Sequence, residues 1–219
     1  MSTTAMWFLL VVVVVVILFA SVLYKRSFTV HELSMIGVMA ALSLVAYLFF
    51  RVPFYGGSSF HLGNTFTALT ALLLDGVSGG LAGAIGLALA DILAGDPGYA
   101  VTTFVLKFII GIVCGAVAHK LLHLRRQDPA NKGPYLARVT IAAASGLLVN
   151  VITDPLLGYF RNVYIFDQEY SLAQAMAKVA GGVTLVNSLV STLCVVLLYL
   201  AIRPALERAG FLKAEHTGR

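Results

Sequence analysis

Four charged side chains stand inside otherwise apolar stretches of this sequence: Asp91, Lys107, Asp154 and Lys178. Asn64, Thr103, Asn150 and Asn187 occupy similar settings without charge. These residue types suit binding. An ammonium donates to a carbonyl or anionic oxygen, and a carboxamide offers a donor and an acceptor side by side to the edge of a heterocycle. Thr103 and Lys107 are four apart, so a helix places both on one face, addressing the same space. Motifs for bond-making chemistry are missing. His31-Glu32 begins like the zinc-protease helix motif, but Met35 stands where its second histidine belongs. No G-x-S-x-G, phosphate-binding G-x-x-x-x-G-K-[ST] or close His/Cys cluster occurs in the sequence. The expectation is a binding protein without enzymatic activity, metal or cofactor, in which any active transport takes its energy from a gradient or another subunit.

A second reading of the same residues stays open. Asp91 with Lys107, and Asp154 with Lys178, would also make structural ion pairs, with Asn150 and Asn187 hydrogen-bonding between helices. Asp154-Pro155 reads equally as a turn at a helix end. His61, near Gly63 and Asn64, is a loop or capping residue, or part of a lid.

The elements that must position these groups follow from composition. Of 219 residues, 59% are hydrophobic and 11% charged, and the mean hydropathy is +0.92. That combination specifies an all-α integral membrane protein. A helical run of about 20 apolar residues spans the ~30 Å hydrocarbon core, so at most seven or eight spans fit, leaving no room for a soluble catalytic or DNA-binding domain. The net charge of +5 is then a topology signal from cytoplasmic loops and not a nucleic-acid footprint. Cys114 and Cys194 fall in apolar stretches, where cysteine acts as a small hydrophobe.

Basic anchors set the map. Residues 6 to 24 form an uncharged apolar block ending at Lys25-Arg26, which orients that helix N-outside. The first five residues carry no charge, so a retained helix is expected in place of a cleaved signal peptide. The basic stretch 120 to 138 and the tail 203 to 219 are the other cytoplasmic anchors. Parity between anchors gives spans at 33 to 50, 62 to 75, 78 to 94, 99 to 119, 139 to 158 and 172 to 202, with outside loops at 51 to 61, 95 to 99 and 159 to 171. The chain thus divides into an extra N-terminal transmembrane helix (1 to 27), a six-helix core (28 to 203) and a cytoplasmic tail (204 to 219), in the plasma membrane with the N-terminus outside.

On this map Asn64, Asp91, Thr103, Lys107, Asp154 and Lys178 lie in the outer half of their helices, outlining a pocket that opens outward. Gly76, Gly80, Ala84 and Ala88, beside Ala82, Gly86 and Ala90, are spaced four apart and mark a crowded central helix, because small residues let backbones approach closely in lipid.

Residues 60 to 122 resemble the substrate-binding S components of energy-coupling factor (ECF) vitamin transporters, most closely the branch with riboflavin-type and hydroxymethylpyrimidine-type members. The features that carry the resemblance are His61-Leu62-Gly63-Asn64, the short helix closing at Asp75-Gly76, the Gly/Ala-rich helix ending in Ala90-Asp91, and Thr103, Phe104 and Lys107 before Gly111 and Gly115. It extends from about residue 33 to 202. The resemblance implies a six-helix core that binds a water-soluble vitamin or precursor near its outer face and associates with a membrane-embedded coupling subunit and two ATPase subunits. Riboflavin, hydroxymethylpyrimidine, pyridoxine and a deazaguanine are the substrates it leaves open. It implies substrate contacts at Lys107, Asn150 and Lys178, with Thr103, Asn64, His61, Asp91 and Asp154 around them and the loop 51 to 64 as a lid. It also implies a coupling contact through small residues in the first core helix, where Gly37-xxx-Ala41 has the spacing. The alternatives are a membrane sensor module and a solitary secondary transporter.

Overall fold

The computed structural model describes residues 26–212, together with 20, 21, 23 and 24. The rest of the expected span 6 to 24 therefore lies outside the described residues, as does the tail beyond 212. Six helices make up the described chain: α1 (Val30–Phe49), α2 (Gly63–Leu73), α3 (Gly76–Leu93), α4 (Ala100–Gly115), α5 (Lys132–Tyr164) and α6 (Tyr170–Arg208). Each overlaps one of the six helical segments expected from the sequence. A π-helical turn, Ala116–Leu121, carries α4 onward, and strands β1 (Val52–Pro53) and β2 (Ser59–Phe60) form an antiparallel hairpin between α1 and α2. Among the described residues five helical segments are long and apolar enough to cross a membrane. At 11 residues α2 is too short for that, and it lies on the axis instead, touching the other five helices.

The sequence explains α2's place. It is apolar or short-chained on every side, so it has no face to give to solvent or lipid, and ten of its 11 residues are buried. The Gly/Ala-rich α3 is packed as its composition requires. A Cβ on Gly76 or Gly80 would meet α4 at Gly111, Ile112 and Phe108, one on Gly79 or Gly83 would meet Ala71 and Thr67 of α2, and one on Gly86 would meet Ala40 of α1. Glycine on three sides of one helix is what allows three neighbours to lie against its backbone.

Polar clusters close the two ends. At the basic end, α1 starts with a capping box between Thr29 and Glu32. Asp75 caps α3 through the amides of Val77 and Ser78 and also pairs with Arg26 at 2.5 Å. Arg125 donates to the carbonyls of Leu73 and Leu74, satisfying the C-terminal end of α2. Buried Arg203 holds α6 to α5 and the 124–126 turn through Tyr135, Leu124 and Arg125. At the other end gather the hairpin, the 94–99 turn and the 165–169 turn.

Two boundaries differ from the expectation. Pro155 lies inside α5, which continues to Tyr164, so Asp154-Pro155 ends no helix and Arg161 stands on a helix face and not in a loop. Proline is tolerated inside membrane helices because neighbouring groups take up the freed carbonyl. Similarly, α6 runs past 203 through Pro204 to Arg208, so the expected core–tail boundary falls within a helix. Cys114 is fully buried and Cys194 half-buried, both as free thiols.

Candidate functional site

Beneath the hairpin the helices leave a polar cavity with about 780 Å³ of non-atom space, counting the solvent at its mouth. Each helix contributes residues at helical spacing: Leu87 and Asp91 from α3, Thr103, Leu106 and Lys107 from α4, Asn150, Asp154, Gly158, Arg161 and Asn162 from α5, and Met176, Ala177, Ala180, Thr184 and Asn187 from α6. Tyr47 of α1, Asn64 of α2, Ser59 and His61 of the hairpin segment and Tyr99 complete the wall.

Seven of the eight binding residues expected from the sequence come together here: His61, Asn64, Asp91, Thr103, Lys107, Asn150 and Asp154. Lys178 does not. It is exposed and lines none of the cavity, because α6 turns the face carrying Ala177, Ala180, Thr184 and Asn187 inward. Two positions before Ala180, Lys178 lies some 200° around the helix. The ion pairs of the alternative reading are also absent among the described residues. Asp91 accepts instead from the Thr103 hydroxyl at 2.5 Å and Asp154 from the Thr184 hydroxyl at 2.6 Å. Lys107 is buried with no hydrogen-bond partner among the described residues, and both carboxylates act on it from longer range.

In the lining of this cavity three polar atoms, His61 Nδ1, Asn64 Oδ1 and Asn150 Oδ1, are buried without a hydrogen-bond partner among the described residues. A buried acceptor left unmade costs about 1–3 kcal/mol, so these atoms favour a polar guest. The wall can present acceptors from two amides, a donor from Lys107, and the aromatic faces of Tyr47 and Tyr99 to one small molecule.

The hairpin is fastened over the cavity from the far end of the chain. Asn187 of α6 accepts from the His61 amide at 3.0 Å and donates to the Ser59 carbonyl at 2.9 Å. Arg51 donates to Ser59 Oγ at 2.9 Å and pairs with Asp96 at 2.7 Å, joining the hairpin to the next loop. The His61 ring rests against Tyr47, with centroids 4.7 Å apart. Its pKa lies well below the ordinary 6.5, first through burial and then through Lys107 and Arg51, so the ring is neutral. A turn at Gly57, with φ +78°, brings the loop backbone against the Tyr99 hydroxyl, where a Cβ would collide.

Sequence reasoning did not single out Arg161, Asn162, Tyr47, Tyr99 or Thr184 as site residues. A signal for Arg161 existed: it is seven positions from Asp154, two turns along one face. Gly37 and Ala41 lie on the outward face of α1, both exposed, and a Cβ on Gly37 would meet nothing within 4 Å.

Residues 27–204 match the family described as ECF-type riboflavin transporter, S component. Among solved structures, ThiT from Listeria monocytogenes is similar to this chain at 20% identity with a TM-score of 0.60, over 80% of this chain and 96% of that one. At that identity the likeness concerns the fold. No curated protein matches the sequence.

Proposed function

Because the chain belongs to the family of S components of ECF-type riboflavin transporters, multi-pass membrane subunits that bind small vitamins and work with ECF module partners, we propose that its cavity takes riboflavin, or a hydroxymethylpyrimidine-type precursor. The observation that carries this reading is the pair of unpartnered amide oxygens, Asn64 Oδ1 and Asn150 Oδ1, in one buried cavity with Lys107. A ring that offers N–H donors and carbonyl acceptors along one edge satisfies both amides and the ammonium together.

In this reading Asn64 and Asn150 address the heterocycle edge and Lys107 donates to a ring carbonyl. Asp91 and Asp154, held by their threonines, fix the ammonium's place between them. His61, carried on the hairpin, closes over the ring as part of a lid. The end bearing the 120 to 138 segment is cytoplasmic by the positive-inside rule, so the cavity opens outward and the C-terminus faces the cytoplasm. Residues 28 to 203 act as the binding core. The subunit passes its vitamin to a coupling subunit driven by two ATPases, with Gly37 and Ala41 on the outward face of α1 as the contact.

A thermal-shift screen of the detergent-solubilised protein against riboflavin, hydroxymethylpyrimidine, pyridoxine and a deazaguanine tests the reading. At 100 times its Kd a ligand stabilises by about 2.7 kcal/mol. Stabilisation by riboflavin or the pyrimidine that disappears in Lys107→Ala supports it. A ligand response unchanged in Lys107→Ala removes Lys107 from the site.

A further inference from the structure

The arginines of this bundle differ in what neutralises them. Arg26 pairs with Asp75 and Glu32, Arg51 with Asp96, and Arg203 with Glu207. Arg125 caps the carbonyl end of α2. Arg161 is buried to 7% exposure and lines the cavity, yet among the described residues no carboxylate lies within ion-pair reach of it. Its bonds go to neutral oxygens: Nη1 donates to Thr102 Oγ1 at 3.0 Å, while Nε and Nη2 share Asn162 Oδ1 at 3.3 and 3.2 Å. The guanidinium lies over the Tyr99 ring, 3.8 Å from its centroid.

A guanidinium carries five N–H donors, and these three bonds leave two. The ring beneath and the two neutral oxygens fix its plane without cancelling its charge. Burying a charge without an opposite charge is expensive, and removing the partner of such a group costs several kcal/mol. The cavity's own carboxylates do not fill the role. Asp154, two turns back along α5, and Asp91 act on Arg161 only from longer range, and neither makes an ion pair with it among the described residues.

We infer that Arg161 receives an anionic oxygen group, a phosphate monoester or a carboxylate, carried by the substrate at the hairpin end of the cavity. The inference rests on the vitamin-binding reading of this cavity and deepens it: the preferred ligand is an acidic form of the vitamin. Its ring lies toward Asn64, Lys107 and Asn150, and its acidic arm reaches back toward Tyr99. Planar bidentate recognition of such a group is what arginine does better than lysine.

Matched pairs test this by calorimetry on the full chain in detergent: riboflavin with flavin mononucleotide, pyridoxine with pyridoxine 5′-phosphate, and nicotinamide with nicotinate. For at least one pair the acidic member binds about tenfold tighter or more, the scale of a charge-assisted hydrogen bond. Arg161→Gln brings that ratio close to one, and Arg161→Lys restores part of it. The phosphate pairs and the carboxylate pair identify which acid is read. Preference for a pyridoxine or nicotinate acid with no flavin binding would sink riboflavin as substrate and leave the role of Arg161 standing. Riboflavin binding with flavin mononucleotide excluded would do the reverse. Equal weakening of both members of a pair in Arg161→Gln would make the residue structural and overturn the proposal, as would no binding by any acidic member.

Discussion

Replacing Asn187 by leucine isolates how the hairpin is held over the cavity. Asn187 is buried and its amide makes two bonds to backbone groups more than 120 residues away, to the His61 N–H and the Ser59 carbonyl. Leucine fills nearly the same volume with no donor or acceptor, so both backbone groups lose their partner inside a shielded site. Each orphaned group costs about 1–3 kcal/mol, which puts the closed hairpin about 2–6 kcal/mol above its present level. The hairpin escapes that cost by lifting into water, and the rest of the bundle need not move. Ligand binding that requires the closed hairpin then weakens, by up to about thirtyfold for a 2 kcal/mol cost, since 1.4 kcal/mol is a factor of ten. Asn187→Asp keeps the acceptor for His61 N–H and loses the donor to Ser59, so it falls between. Two measurements check this: the riboflavin Kd by fluorescence quenching, and amide hydrogen exchange at residues 59 to 61, which needs no ligand. Exchange at His61 as slow in Asn187→Leu as in the native protein, with a Kd within about threefold, would refute the argument that Asn187 fastens the loop.

Further perturbations separate the remaining roles. Lys107→Met weakens vitamin binding by about ten- to a hundredfold, the scale of a hydrogen bond to a charged group, while Lys178→Ala leaves the Kd alone because Lys178 is exposed and faces away; equal effects in a titration would contradict the cavity assignment. Gly111→Ala lowers the thermal midpoint in detergent by the equivalent of about 1–3 kcal/mol or more, since the added Cβ meets the Gly80 backbone, whereas Gly37→Ala leaves it unchanged. Gly37→Leu preserves binding by the purified subunit but reduces uptake in cells with the ECF module, and undiminished uptake would take this face out of the coupling contact. His61 is neutral in the fold with its pKa depressed below 6.5, so its contribution to stability is complete above about pH 6.5 and declines as the pH falls below it, when the opened state gains a proton that the closed hairpin refuses. A thermal scan from pH 7.5 to 5.5 therefore shows a decline that His61→Gln reduces; identical slopes in the two proteins would exclude the ring as its source.

Much of this was legible in the sequence because the bilayer leaves a chain few options. Backbone groups in hydrocarbon must be satisfied within helices, so apolar runs and basic anchors were enough for six core helices and their order. The four-residue spacing of Gly76, Gly80, Ala84 and Ala88 announced a crowded central helix, and in the fold Gly76 and Gly80 lie against Gly111, Ile112 and Phe108 of α4. Buried polar residues are costly enough that most of those flagged inside apolar stretches share one cavity, which is why His61, Asn64, Asp91, Thr103, Lys107, Asn150 and Asp154 meet. What hydropathy reports is depth in the membrane, not rotation about a helix axis. Depth made Lys178 look equivalent to Lys107, and only the packing of α6, with Asn187 and Thr184 turned inward, decides that Lys178 faces away. Ion-pair partners were likewise chosen from depth alone, whereas the tertiary structure gives each aspartate a threonine hydroxyl and leaves Lys107 and Arg161 to the cavity. Arg161 was hidden by Pro155, which reads locally as the end of a helix, whereas α5 carries it within its length and runs on to Tyr164. Local residue chemistry determined which groups must avoid lipid; the rotation of each helix, fixed by side-chain packing across long sequence separations, decided which of them face one another.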